Sequence, residues 1–482
     1  MANTSSTNMD KSYAQWSFIQ RRAPIWLLVY VSILHGLMLL YDVAHPARFL
    51  NADRANERWD ATQTFLSIHA NKTELIHYFV SHGIIGDYFF QTLFYRLGGQ
   101  YTVILAQICL LIMSVVALYR LTAMLTHSAH AGLATALLYV HLPQSLVFPH
   151  VLSSEAIFDP LVIMSFYFAI RSCIAKNQRW HKLIMSALLL GLATVVRPIT
   201  ALWPCVFVVL FLLSGIRAKQ SVMYFILALL PLICWMTFIW SQTGIFSMGS
   251  SSHDLGHNLY HRVKVIISFM PEKKQKEASR DFLSVPSGHE RATMSITRYL
   301  HFGIEYPRAF FAHLATDGIV YLGKSGIEKL TVDYFRIIDS TKRRILTDPN
   351  TGWRQWVESM GLFPAMGRLL TNYPILMFFS ILGVILMVGI WFLSAVGTWY
   401  EITLFDRRSI VAENLCLLII SLFPLYVFAT SQVTTIMQSR HRAPAEFSLC
   451  IMSVLGWKAL RAKYAKIYAD RSHNSAPLQK DI

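Results

Sequence analysis

The densest cluster of charge beside an apolar run in this chain is NADRANERWDA, residues 51–61. Wound as a helix, it sets Asp53, Glu57 and Asp60 at i, i+4 and i+7 on one face, with Arg54 and Arg58 on the neighbouring stripe. Carboxylates four residues apart repel by about 0.2–0.5 kcal/mol unless a cation, an arginine or a proton relieves them, which is how sites for charged substrates are often built. The plain alternative is an i, i+3 ion pair of Arg54 with Glu57 on a solvated loop. In chemical terms a carboxylate can take the proton of an attacking hydroxyl, and the planar fork of an arginine can hold a departing phosphate.

Further groups stand where an apolar chain would not place them idly. Ser153 and Ser154 cap the start of an apolar run, and a carboxylate there, Glu155, is favoured by about 0.3–1 kcal/mol through the helix dipole. Capping alone would explain Glu155. Asp159 lies one turn further in, and an ionisable group inside a span costs at least about 2.5 kcal/mol unless it faces protein or water. Arg197 ends one apolar run and Pro198 opens the next, so its guanidinium either snorkels or meets an anion. Arg440 and Arg442 precede the last apolar run in SRHRAPAEF. In GIIGDYFFQTLFYRLGG, residues 83–99, glycine turns bracket a run too short to span, with Asp87 and Arg96 as its charges, which reads as an interfacial helix. His253, His257 and His261 recur every four residues, a spacing that can bind zinc on a helix. Gly256 weakens that helix and no carboxylate or cysteine completes a ligand set, which favours a solvated or phosphate-facing stripe.

The elements that must position these groups are membrane spans. Of 482 residues, 54% are hydrophobic and only 15% charged, too apolar for a water-soluble protein of this length. The formal charge of +16 flanks apolar runs, as topology signals and contacts to anionic lipid do, and not as a nucleic-acid surface would. Cys109, Cys173, Cys205, Cys234, Cys416 and Cys450 lie in or beside those runs without metal-ligand spacing and read as small core hydrophobes. Residues 1–22 end in Arg21 and Arg22 with no cleavage site after the run from Ile25 to Tyr41, which is read as a retained first span. Further runs at 101–120, 131–149, 155–171, 183–197, 199–214, 221–241, 373–397, 411–430 and 444–458 bring the count to about ten. With the N-terminus cytoplasmic, the inner connections hold Arg171, Lys176, Arg179 and Lys182, then Arg217 and Lys219, then Arg407 and Arg408, then the basic tail from Lys458. Each obeys the positive-inside rule, and the informative residues fall outside.

The order of an outer-loop acid, GIIGDYFFQTLFYRLGG, ALLYVHLPQSLVFPHVLSSEAIFDPL, LLLGLATVVRPITAL and SRHRAPAEFSLCIM resembles the polyprenyl-phosphate-sugar-dependent glycosyltransferases of the GT-C fold. These include the protein O-mannosyltransferase and lipid A aminoarabinose transferase relatives. The similarity covers residues 25–215 well and the last two spans loosely, while 242–372 matches no named relative. It implies an all-α polytopic membrane protein: a GT-C-like bundle of about 10–11 transmembrane helices, interfacial helices in the first outer loop, and a small extracytoplasmic segment. The division it implies is an N-terminal transmembrane module, 1–241, with the first outer loop at 43–100, an extracytoplasmic segment, 242–372, and C-terminal helices with a basic tail, 373–482. The family's key acid near the start of the first outer loop points to Asp53, with Glu57 and Asp60 as rivals. Arg54 follows Asp53 where the family has Asp-Glu, and RWDA is similar to the WD pair of the related PIG-V-type mannosyltransferases, so Asp60 stays in contention. The resemblance assigns Glu155 to a second acid at the active site, and Arg197, Arg440 and Arg442 to the family's Arg-Pro and Arg-x-Arg-x-Pro. Together with Arg54, Arg58 and Asp87 these form the candidate substrate and phosphate site.

The implied partners are a polyprenyl-phosphate sugar, a lipid, glycan or protein acceptor, and the bilayer, with no nucleic acid; the cofactor expected is none, or a divalent metal held near Glu155. The rival classes are a polysaccharide ligase or polymerase, whose signal would centre on the long loop, and a transporter or flippase, which would show two related halves. A non-catalytic scaffold would leave Asp53, Glu57 and Asp60 unexplained. The Asn71-Lys72-Thr73 sequon would matter in an endoplasmic reticulum, but without a retention signal the expected site is a bacterial plasma membrane.

Overall fold

A bilayer offers no hydrogen-bond partner to the backbone, so each long apolar run must satisfy its own N–H and C=O groups by winding into a helix. The computed structural model describes residues 4–46, 85–174, 179–244, most of 259–283, 295–323, 374–405, 412–434 and 442–474, with isolated positions between 326 and 371. Among these the elements are α1 (Thr4–Ala44), α2 (Ile85–Thr126), α3 (Ala129–Val140), α4 (Pro143–Val147), α5 (Glu155–Ile174), α6 (Arg179–Val196), α7 (Trp203–Leu213) and α8 (Ala218–Thr243). After them come α9 (Glu272–Leu283), α10 (Ile296–Glu305), α11 (Pro307–Gly323), α12 (Pro374–Phe405), α13 (Ala412–Thr434) and α14 (Ala443–Asn474).

Seven described helices are long and apolar enough to cross a membrane, or eight if the bent pair of α3 with α4 and the turn after it is one span. The other runs read from the sequence are also helical: the short 198–213 segment, and α14, which passes from an apolar first half into a basic second half. Breaks fall where residue chemistry puts them. At Gly98 and Gly99 the backbone leaves the helix, with Gly99 at φ +73 and ψ −161, a conformation L side chains rarely adopt. This divides α2 into a short N-terminal part and a longer apolar part. Pro143 sits in the first turn of α4, and the chain bends by 67° between α3 and the 143–150 segment.

The packing is that of a membrane bundle. Ile25, Trp26, Ile33 and Leu37 of α1 face outward, while Leu27 and Val31 join the core. Helix α5 is buried on nearly every side and is the centre of the bundle. Ser165 and Ser186 exchange hydroxyl-to-carbonyl hydrogen bonds of 2.9 Å each between α5 and α6, the kind of polar contact that fixes helices where water is absent. Helices α12 and α14 meet through Gly397 and Gly456, where a Cβ on either would collide with the Met452 or Leu393 carbonyl. Ser394 and Ser453 pair at 2.9 Å beside them. Gly456→Val is therefore expected to push the two helices apart and destabilise the protein by about 1–3 kcal/mol or more, read as a lower thermal midpoint in detergent; an unchanged midpoint would show that the close approach is not needed.

A second, smaller apolar cluster lies in the 259–310 region, where Ala278 and Phe282 of α9 pack with Tyr299 and Phe302 of α10. The mixed-charge 242–372 segment also reads from its sequence as carrying helices near 304–323 and 353–370; the first corresponds to the end of α10 and to α11, and the second lies largely outside the described residues. All six cysteines are free.

Candidate active site

Chain direction alone brings five segment ends to one end of the bundle: the end of α1, the corner after α4, the start of α5, the end of α6 and the start of α14. Helix α6 stops at Val196 because Arg197 turns extended, at φ −148 and ψ 118, ahead of Pro198. The extended turn lets the Arg197 side chain reach the head of α5, where Nη1 lies 3.0 Å from Glu155 Oε1. The contact is an ion pair without hydrogen-bond alignment, since Nη1 has no aligned acceptor. The guanidinium also lies over the Phe158 ring, 5.6 Å from its centroid.

Glu155 is held from its other side by the serines that cap α5. Ser153 Oγ donates to Oε2 at 2.5 Å and Ser154 Oγ at 3.3 Å, while the Glu155 amide donates back to Ser153 Oγ at 3.2 Å. Glu155 is buried, so the carboxylate is oriented and largely out of bulk water. One turn deeper, buried Asp159 senses the charges of Glu155, Arg197 and Glu446, and its Oδ1 has no hydrogen-bond partner. Arg442, fully buried, places Nη2 3.4 Å from Glu446 Oε1 one turn along α14 and 3.7 Å from the Met387 sulfur. Tyr139 of α3 bonds Ser145 and lies within the fields of Asp159 and Glu446. The cluster thus sets three carboxylates, Glu155, Asp159 and Glu446, against two arginines in a poorly solvated place, where charge is strongly felt.

The sequence candidates divide accordingly. Glu155 and Arg197 come together, and Arg442 joins the same end but turns inward on Glu446. Asp87, in the first turn of α2, is buried and accepts from Gln91 Nε2 at 2.5 Å. Its neighbour Gly86 lies against Val195 and Val196, where a Cβ would sit 3.0 Å from both, so Asp87 belongs to the same end of the bundle as Arg197. Asp53, Arg54, Glu57, Arg58, Asp60 and Arg440 lie outside the described residues, as do His253, His257 and His261. Among the described residues no group of three His, Cys, Asp or Glu side chains is placed to hold a metal ion.

Sequence reasoning passed over Glu446 and a second polar chain, in which His150 contacts both Asp42 and His35 and Tyr334 donates to Asp42. A signal was available: His35 is an ionisable group inside an apolar run and Asp42 stands at its end, much the ground on which Asp159 stood out.

Residues 81–240 match the family model described as dolichyl-phosphate-mannose-protein mannosyltransferase, a stretch that contains Asp87, Glu155, Asp159 and Arg197. No curated protein matches the chain. The apo oligosaccharyltransferase of Archaeoglobus fulgidus shares 11% identity, over 96% of this chain and 54% of that one, with a TM-score of 0.40. The oligosaccharyltransferase AglB of the same archaeon, solved with an inhibitory peptide and a dolichol-phosphate, shares 13% over 83% and 44%, with a TM-score of 0.36. The chain spans about half the length of these structures, and likeness at that level transfers neither a ligand nor a role.

Proposed function

We infer, since this all-α polytopic membrane protein is of the GT-C glycosyltransferase type, that it moves a sugar from a polyprenyl-phosphate donor to a hydroxyl of a lipid, glycan or protein acceptor. The observation that carries this reading is the pairing of buried Glu155 with half-buried Arg197, with Ser153 and Ser154 gripping the carboxylate where spans end. A lipid phosphate is already a good leaving group. Transfer then needs an oriented acceptor, a base and cations for the phosphate. The acceptor oxygen attacks the anomeric carbon and the carbon–oxygen bond to phosphate breaks with inversion. The phosphate leaves with the electron pair, and the hydroxyl proton passes to a carboxylate.

Asp53 is the proposed base, with Glu57 and Asp60 as its rivals, and Glu155 positions the acceptor or a divalent metal. Arg197 and Arg442, with Arg54, Arg58 and Arg440, supply the cations for phosphate, and Asp87 lines the same end. The reaction is assigned to the extracytoplasmic side of a bacterial plasma membrane. Support comes from the opposite end of the bundle, where Arg171, Arg179, Lys182, Arg217, Lys219 and Lys458 gather as the positive-inside rule requires of a cytoplasmic face.

The test is transfer by the purified protein in liposomes from a polyprenyl-monophosphate sugar. Asp53→Asn is expected to lower the rate by about 10²–10⁴-fold with donor binding retained. Full activity of a folded Asp53→Asn protein sinks the base assignment, and activity only with a diphosphate-linked glycan favours a ligase instead.

A further inference from the structure

The polar chain at the end of α1 takes no part in the reaction as read above, yet it is packed directly behind it. His35 and His150 are fully buried, with Asp42 and Tyr334 nearly so. Asp42 Oδ1 accepts the Tyr334 hydroxyl at 2.7 Å, and Oδ2 meets His150 Nδ1 at 2.5 Å. His150 Nε2 lies 2.8 Å from His35 Nδ1, and the two rings stack with centroids 5.1 Å apart.

The donors and acceptors allow few arrangements. With Asp42 ionised, His150 Nδ1 carries a proton, so a neutral His150 must accept at Nε2 from His35 Nδ1–H, and an imidazolium must donate there. In both cases Asp42 fixes the plane of His150, and in the neutral ring its tautomer, as a carboxylate does for an imidazole behind a metal or a nucleophile.

His150 belongs to a corner, residues 148–154, that is buried throughout and runs directly into the serines that grip Glu155. Met38, Phe148, Val151, Ala156, Tyr334 and Ala443 form one apolar cluster, which joins the polar chain to the first turn of α5 and the start of α14. We propose that His150 is a positioning residue. The relay Asp42–His150–His35, latched by Tyr334, pins the 148–154 corner and thereby holds the Glu155 carboxylate in place against Arg197. The inference rests on the role given to Glu155 above.

The experiment is a double-mutant cycle in the full-length protein in liposomes, with a polyprenyl-monophosphate sugar as donor. His150→Leu is expected to lower kcat by about 10–100-fold, since a displacement near 1 Å is enough for that, with the donor KM within about twofold. His150→Asn, which can still donate to Asp42, falls between His150→Leu and the parent. In a Glu155→Asp background the same His150→Leu change costs less than about twofold, because coupled residues are not additive. Equal losses in both backgrounds, an unchanged kcat, or a loss confined to KM overturns the proposal. Should His150→Leu fail to fold, Tyr334→Phe carries the cycle with a smaller expected loss. Should Glu155→Asp be inactive, amide exchange decides: faster exchange at 151–155 with α6 unchanged in His150→Leu or Tyr334→Phe supports the latch, and unchanged exchange overturns it. Failure of the underlying reading shows separately, as full activity in Glu155→Gln.

Discussion

Glu155→Gln is expected to leave the protein folded and to lower sugar transfer by about 10²–10³-fold. The amide keeps the size of the carboxylate and can still accept from Ser153 and Ser154, which now donate to Oε2 at 2.5 and 3.3 Å. What disappears is the charge opposite Arg197, 3.0 Å away. A guanidinium freed from its partner re-aims, and loss of preorganised charge at a site of this kind typically costs that factor. Steady-state transfer together with a thermal melt in detergent checks it. Wild-type turnover in Glu155→Gln would remove the carboxylate from the site, whereas loss of the folded protein would make the pair structural. Arg197→Lys separates the remaining alternatives: a point charge cannot reproduce the planar fork, so a phosphate-holding arginine is expected to raise the donor KM when replaced.

Arg442→Met is expected to cost about 3–5 kcal/mol, enough to unfold a marginal protein, because it strands Glu446 as a buried carboxylate. Both partners are almost fully excluded from solvent. Removing the two together, as Arg442→Met with Glu446→Leu, is expected to recover most of that stability, since replacing a whole buried pair by apolar groups is often neutral. Thermal melts of the two singles and the double give the coupling directly. The same double variant decides what Arg442 is for. If it folds and still binds polyprenyl phosphate as the parent does, Arg442 is a structural anchor of α14. If it folds and binding falls by tenfold or more, Arg442 also meets the lipid phosphate, as proposed.

Much of the architecture is written locally. Apolar runs of spanning length with basic flanks state an all-α polytopic chain, because a backbone in lipid has only the helix open to it here. The break within α2 is legible as Gly98-Gly99, and the head of α5 as Ser153-Ser154-Glu155, since turn and cap chemistry act over a few residues. Arg197-Pro198 likewise marks where α6 must stop.

What the sequence did not contain is which of these ends face one another. Helical periodicity puts residues on a face of their own helix and says nothing of the neighbour that face meets. So Arg197 was legible as an end-of-span arginine, but its pairing with Glu155 on another helix was not. The sequence places Arg442 with the phosphate ligands; its partner Glu446 is an i, i+4 neighbour on its own helix and was open to sequence reading, whereas the burial of the pair beside the Met387 sulfur of α12 was not. His35 and Asp42 of α1, His150 and Tyr334 come from three distant places in the chain and become one relay only because α1, the corner before α5 and Tyr334 meet. Sequence thus determined the spans, their caps and the kinds of group at their ends; tertiary structure decided the partners, because excluding water around a buried charge requires atoms from several distant segments at once.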